Sequence, residues 1–223
     1  MVSAKEGAAL THNVRASAQY QAFIRSLTTA YTPEMEAIVM GHGDKAFVYY
    51  PIKYLDQNNG SLFMAVVDQK TGSVLETMTW LVERAGAGHR ARVRVQDQSV
   101  MDVMIDDQGT VVAGWYVDAN GKQVDAAGAN YVKEGTSNLD QVRSALLGSE
   151  KAAGGVETQS LRCLNDCLSN AGVPLFLITL VAMVCAIACA VTAGLGCAIC
   201  LGATLGAWAS VGTTCLRRCG YSI

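Results

Sequence analysis

The sequence predicts an α+β domain, an antiparallel meander sheet plus a helix, followed by an all-α, disulfide-rich, apolar helical module. Three observations lead there. All eight cysteines fall between Cys163 and Cys219, and the first 162 residues hold none. The run from Cys167 to Leu216 contains no charged side chain. Between about Ala37 and Val124, by contrast, apolar and polar residues alternate with period two and glycine turns punctuate them. A thiol-free polar part joined to a cysteine-dense apolar part reads as two pieces with different chemical fates, because cysteine in an oxidising space is normally paired.

Val14, Ala18, Tyr20, Phe23, Ile24, Leu27 and Tyr31 fall on one helical face, which predicts a helix over 14–30 closed by Pro33, with a short second turn opening at Pro33. Strands follow. Ala91, Val93 and Val95 alternate with Arg90, Arg92 and Arg94, and Met101, Val103 and Ile105 alternate with Asp102 and Asp106, the pattern of strands with one wet face. Turns are expected at Asn58-Asn59-Gly60, Lys70-Thr71-Gly72, Asp107-Gln108-Gly109 and Ala119-Asn120-Gly121, where glycine or asparagine supplies positive φ. Asp68, Asp106 and Asp118 each precede such a turn. Aspartate there is ordinary hairpin grammar, and each loop has too few acids for a calcium site.

Composition narrows the function classes. Seventeen basic residues face nineteen acidic ones without a basic block, so no nucleic-acid partner is expected. His12, His42 and His89 have no ligand spacing, and nucleophile elbows and phosphate loops are absent, so the chain reads as a non-enzyme without cofactor or metal. The Arg90, Arg92, Arg94 row reads as a solvated strand face. The first residues lack an apolar stretch behind a positive one, so neither a Sec-type signal nor a twin-arginine signal is expected there.

The domain organisation reads as 1–148 for the α+β part, 149–160 for a glycine-rich polar linker, and 161–223 for the tail. Gly154-Gly155 in the linker is a candidate processing site, since a protease enters such stretches easily. In the tail, the couples Cys163/Cys167, Cys185/Cys189, Cys197/Cys200 and Cys215/Cys219 each lie on one helical face. Two such helices laid antiparallel can be joined by a pair of disulfides, but eight cysteines allow about 105 pairings and the spacing leaves connectivity open. Pro174, Gly194, Gly196 and Gly206 mark helix starts or breaks.

Three chemistries compete for the tail. A metal site would use Cys197 and Cys200, but a second pair with that gap is missing. A transmembrane helical hairpin over 171–191 and 195–212 is the alternative reading, with Arg162, Arg217 and Arg218 on the cytoplasmic side and the upstream domain anchored by it. The preferred reading is a secreted, disulfide-stapled, membrane-active peptide, because a module of this size gains much of its stability from cross-links. An apolar tail inside its producer needs a mask. The apolar sheet face bearing Met78, Trp80, Val93, Val95 and Trp115 is the expected contact surface for it.

These features, namely the eight cysteines, the apolar core from Val173 to Val211 and the Gly154-Gly155 junction, resemble the C-terminal peptide of halocin-type bacteriocin precursors. The resemblance covers roughly the last 60 to 70 residues by pattern and the upstream part by layout. It implies a precursor, cytoplasmic or membrane-associated, whose C-terminal antimicrobial peptide is secreted. The implied partners are an exporter with its processing protease, the target-cell membrane, and the chain's own N-terminal domain acting as mask or immunity protein.

Overall fold

The computed structural model describes residues 2–34, 36–117, 121–128, 158–181, 183 and 209–219. Two helices come first, α1 (Ala4–Ala16) and α2 (Ala18–Ser26). Nine strands follow: β1 (Tyr31–Pro33), β2 (Ile38–His42), β3 (Lys45–Tyr54), β4 (Gln57–Asp68), β5 (Val74–Ala85), β6 (Gly88–Val95), β7 (Gln98–Asp106), β8 (Val111–Val117) and β9 (Gln123–Asp125). Their hydrogen-bonding order is β1-β3-β4-β5-β6-β7-β8-β9, with β2 also paired to β3. The expected antiparallel sheet with helices is therefore present. The tail contributes α3 (Thr158–Asn170), α4 (residues 175–181 and 183) and α5 (Ala209–Arg218).

The chain divides into two compact units, Met1–Val82 with Arg92–Ser99, and Glu83–Ala91 with Val100–Ile223. The boundary expected at 148 and most of the linker lie outside the described residues, while α3 already begins at Thr158, inside the stretch read as linker.

In the first unit the single helix expected over 14–30 is instead two, and the break has a local cause. Ser17 has extended backbone (φ −67°, ψ 146°) and serves both helices. Its amide and hydroxyl donate to the Val14 carbonyl, and its Oγ accepts the Tyr20 amide at 3.2 Å. The break lets Leu10 and Val14 of α1 and Tyr20 and Phe23 of α2 join one core with Ala46, Val48, Tyr50 and Ile52 of β3 and Phe63, Ala65 and Val67 of β4. Replacing Ser17 by Ala is expected to destabilise the chain by about 1–2 kcal/mol, read as a shift of the urea midpoint at unchanged slope. At the start of α1, Ser3 and Glu6 form a capping box, and the Ser3 hydrogen bonds hold the Glu6 carboxyl below its usual range. Pro33 neither closes a helix nor opens one. It lies in β1, opposite Ile52.

The Asn58-Asn59-Gly60 turn is also relocated. Tyr54 pairs with Gln57, so the hairpin loop is Leu55-Asp56, both left-handed (φ 48° and 60°), and residues 58–60 belong to β4. Two residues with positive φ are what a tight loop between right-twisted strands needs. The register that seats Tyr50, Phe63 and Ala65 in the core, absorbed by a bulge at Ile52/Lys53, outweighs the local preference of the asparagines. The β3–β4 pair departs from simple alternation too. Phe47, Tyr49, Leu62, Met64 and Val66 are as buried as the residues facing the helices, so these strands are covered on both faces. Strands β6 and β7 keep the expected alternation, with Ala91, Val93, Met101, Val103 and Ile105 inside.

Candidate functional site

The site is built in the second unit from two cysteine couples. Cys163 and Cys167 sit one turn apart on α3, and Cys215 and Cys219 lie one turn apart at the end of α5. Disulfides join Cys163 to Cys219 and Cys167 to Cys215, with Cα–Cα distances of 5.7 and 5.6 Å. The outer cysteine of one couple meets the outer of the other, so the helices run antiparallel and the bridges are nested. Leu164 and Leu168, on the same side of α3 as the cysteines, are buried, and so is Cys215. Asp166, Arg217 and Arg218 point to solvent.

α3 ends in a Schellman motif. The Gly172 amide donates to the Ser169 carbonyl and the Val173 amide to Leu168, with Gly172 left-handed at φ 81°. Val173 and Leu168, the pair such a motif brings together, are both buried. Pro174 follows and starts α4, its carbonyl accepting the amides of Leu177 and Ile178. Pro174 is one of the positions expected from sequence to start or break a helix, and here it starts one. Cys185, Cys189, Cys197 and Cys200, the junction Gly154-Gly155, and Gly194, Gly196 and Gly206 lie outside the described residues. Most of the two spans considered for a membrane hairpin does as well. Among the described residues, no helix is long and apolar enough to cross a membrane, no group of three or more His, Cys, Asp or Glu is placed to hold a metal ion, and no cysteine is free.

α4 is packed into this unit. Leu177, Ile178, Thr179, Leu180, Val181 and Met183 are all 4% exposed or less. Two contacts with the upstream strands are specific. Thr179 Oγ1 donates to the Gly109 carbonyl at 2.7 Å, in the β7–β8 turn. Gly109 is left-handed (φ 79°), and a Cβ there would lie 2.8 Å from Thr179 Oγ1 and 3.0 Å from the Leu175 carbonyl oxygen. Glycine is thus required twice at this position, by the turn and by the helix seated on it. Beside it the Phe176 ring stacks on the His89 imidazole, with centroids 3.5 Å apart and planes 8° from parallel.

His89 belongs to a charged cluster. Arg84 of β5 holds Asp107 with two hydrogen bonds (2.8 and 3.3 Å), and its Nη1 also lies 3.0 Å from His89 Nε2. A guanidinium only donates, so in the ring tautomer with its proton on Nδ1 the Nε2 accepts from Arg84, whereas an Nε2–H faces Asp107 Oδ1 at 3.4 Å. Burial, then Arg84, push the His89 pKa below its ordinary value, against the opposing pull of Asp107. The Arg84 hydrogen bonds hold the Asp107 carboxyl low.

The residues expected to form a contact surface belong to both units. Met78 and Trp80 lie on one face of β5 opposite Met64 and Leu62, fully buried, and Val93 is buried as well. Val95 is half-buried. Trp115, also half-buried, pairs with Asp102, the carboxylate that takes two bonds from Arg90. The contacts of α4 described above involve His89 and Gly109, which the sequence offered only as an isolated histidine and a turn glycine. The aspartates before the turns serve their own loops. Asp68 accepts the Lys70 and Thr71 amides, and Asp106 those of Gln108 and Thr110. Asp118 lies outside the described residues.

Comparison of the chain with protein-family profiles, curated proteins and solved structures gives no match in any of the three.

Proposed function

We propose that the chain is the precursor of a secreted, disulfide-stapled, membrane-active antimicrobial peptide, a bacteriocin, occupying roughly its last 60 residues and masked by the strands upstream of it. The observation that carries this reading is the pair of nested bridges, Cys163–Cys219 and Cys167–Cys215. The inner bridge closes the uncharged run from Cys167 to Cys215 into a loop, and the outer one keeps its ends from parting after cleavage upstream. Stapling of that kind suits a small apolar module that must survive outside the cell, where disulfides persist. Masking is supported by α4, whose apolar side chains are buried in the same compact unit as β8 and β9. Exposed in the producer, those side chains would seek a membrane or another apolar partner.

Mass spectrometry of the culture supernatant tests the reading. The expected product begins near Val156, weighs eight hydrogens less than its fully reduced form, one for each cysteine, and inhibits sensitive cells until it is reduced. A full-length chain confined to the membrane fraction, with thiols open to alkylation, would overturn it in favour of a membrane-anchored domain.

A further inference from the structure

We infer that the His89 ring and the bare Gly109 turn form a recognition site that holds residues 174–181 at neutral pH, and that protonation of His89 releases them. The inference deepens the masking role proposed above, but its experiment reads exposure of α4 rather than killing, so either can fail without the other.

The site has a built floor and a built wall. Gly109 lets the helix approach to hydrogen-bond distance, with Thr179 Oγ1 donating to its carbonyl. Phe176 covers His89, leaving the imidazole side chain 14% exposed. The contact is between a neutral ring and a phenyl face, and α4 brings no charge to it: residues 174–181 contain no acid, base or histidine. The charged groups around His89 come from the strands. Arg84 Nη1 lies 3.0 Å from Nε2, and Asp107 Oδ1 lies 3.4 Å from the same nitrogen. Asp106 is occupied by its own turn, and Arg90 by Asp102.

A proton on Nε2 changes this arrangement. It sets an N–H against the Arg84 N–H at 3.0 Å, two donors and two positive charges face to face. Asp107 Oδ1, 3.4 Å from Nε2 and already bonded to Arg84, offsets only part of that repulsion, and the added charge sits under Phe176 on a ring held 3.5 Å from it and shut off from water. The released ring regains water and titrates near its ordinary value of 6.5, whereas the covered ring titrates lower. The docked state binds the proton more weakly, so docking is at full strength above that ordinary value. It weakens as the pH falls through it toward the lowered one.

Hydrogen exchange of the full-length oxidised chain, followed by mass spectrometry and corrected for intrinsic exchange, tests this at about pH 7.5 and about pH 5, the range in which histidine titrates. Wild type is expected to exchange residues 174–181 several-fold faster at the lower pH, while α3 stays protected between its disulfides. His89→Phe keeps a ring on Phe176 but cannot take a proton, so it should protect α4 equally at both pH values. Gly109→Ala should expose α4 at both, and Phe176→Ala repeats that test from the helix side should the turn itself distort. Wild-type exchange independent of pH, or unchanged pH dependence in His89→Phe, would overturn the inference; the latter result assigns the effect to another group.

Discussion

Reducing Cys163–Cys219 and Cys167–Cys215 is expected to separate α3 from α5 and to melt both. The bridges span 56 and 48 residues. In the chain-entropy account, closing the first loop removes about 4 kcal/mol of unfolded-state freedom, and the second, nested inside it, removes about 2–3 kcal/mol more. Helices of thirteen and ten residues are too short to persist alone in water, so their survival depends on that constraint and on the packing of Leu164 and Leu168. Replacing Cys167 and Cys215 together by Ser keeps the outer bridge and should cost only the smaller amount. Exchange protection over 158–170 and 209–218 reads both cases. Protection that survives a reductant would mean that packing, not the cross-links, holds the pair.

A comparable loss is expected in the first unit from Phe63→Ala. Phe63 is 1% exposed, with its ring centroid 5.1 Å from Tyr20 and 5.0 Å from Phe23. Tyr50, 6.4 Å away, is tied to α1 by a hydrogen bond from its hydroxyl to the Thr11 carbonyl. Phe63 is therefore where both helices meet the sheet. Truncation leaves a cavity between rigid elements and removes two close aromatic pairs, for a cost of about 3–5 kcal/mol. For a chain of this length, that lowers the melting temperature by roughly 6–20 °C. Val112→Thr, at a site 54% exposed, is the matched control and should change stability by less than about 0.5 kcal/mol. Equal melting temperatures for Phe63→Ala and wild type would show that α1 and α2 do not depend on this core.

How much was legible beforehand varies with the range of the interaction. The alternation in β6 and β7, the glycine turns at 70–72 and 107–109, the helix start at Pro174 and the cysteines one helical turn apart are all local patterns. Each reflects energies set within a few residues, so sequence alone exposes them. The readings that failed had two different causes, one distant and one local. The Asn58-Asn59-Gly60 turn yielded to the register of the β3–β4 core, and the helix read through Ser17 yielded to a serine able to cap both sides of a break.

By itself, then, the sequence determined the alternating strands, the sites of several turns, the helical faces that carry Cys163/Cys167 and Cys215/Cys219, and the apolar character of the tail. Only the tertiary structure decided which couple joins which, because the partners lie 56 and 48 residues apart and the spacing within a couple is blind to its mate. It also decided the seat of α4. The Thr179 hydroxyl meets the Gly109 carbonyl across 70 residues, and Phe176 finds His89 across a still longer stretch of chain. Neither histidine nor turn glycine is unusual in sequence. Their role comes from β5, β6 and the β7–β8 turn placing Arg84, His89 and Asp107 side by side, with a glycine low enough beside them for a helix to rest on.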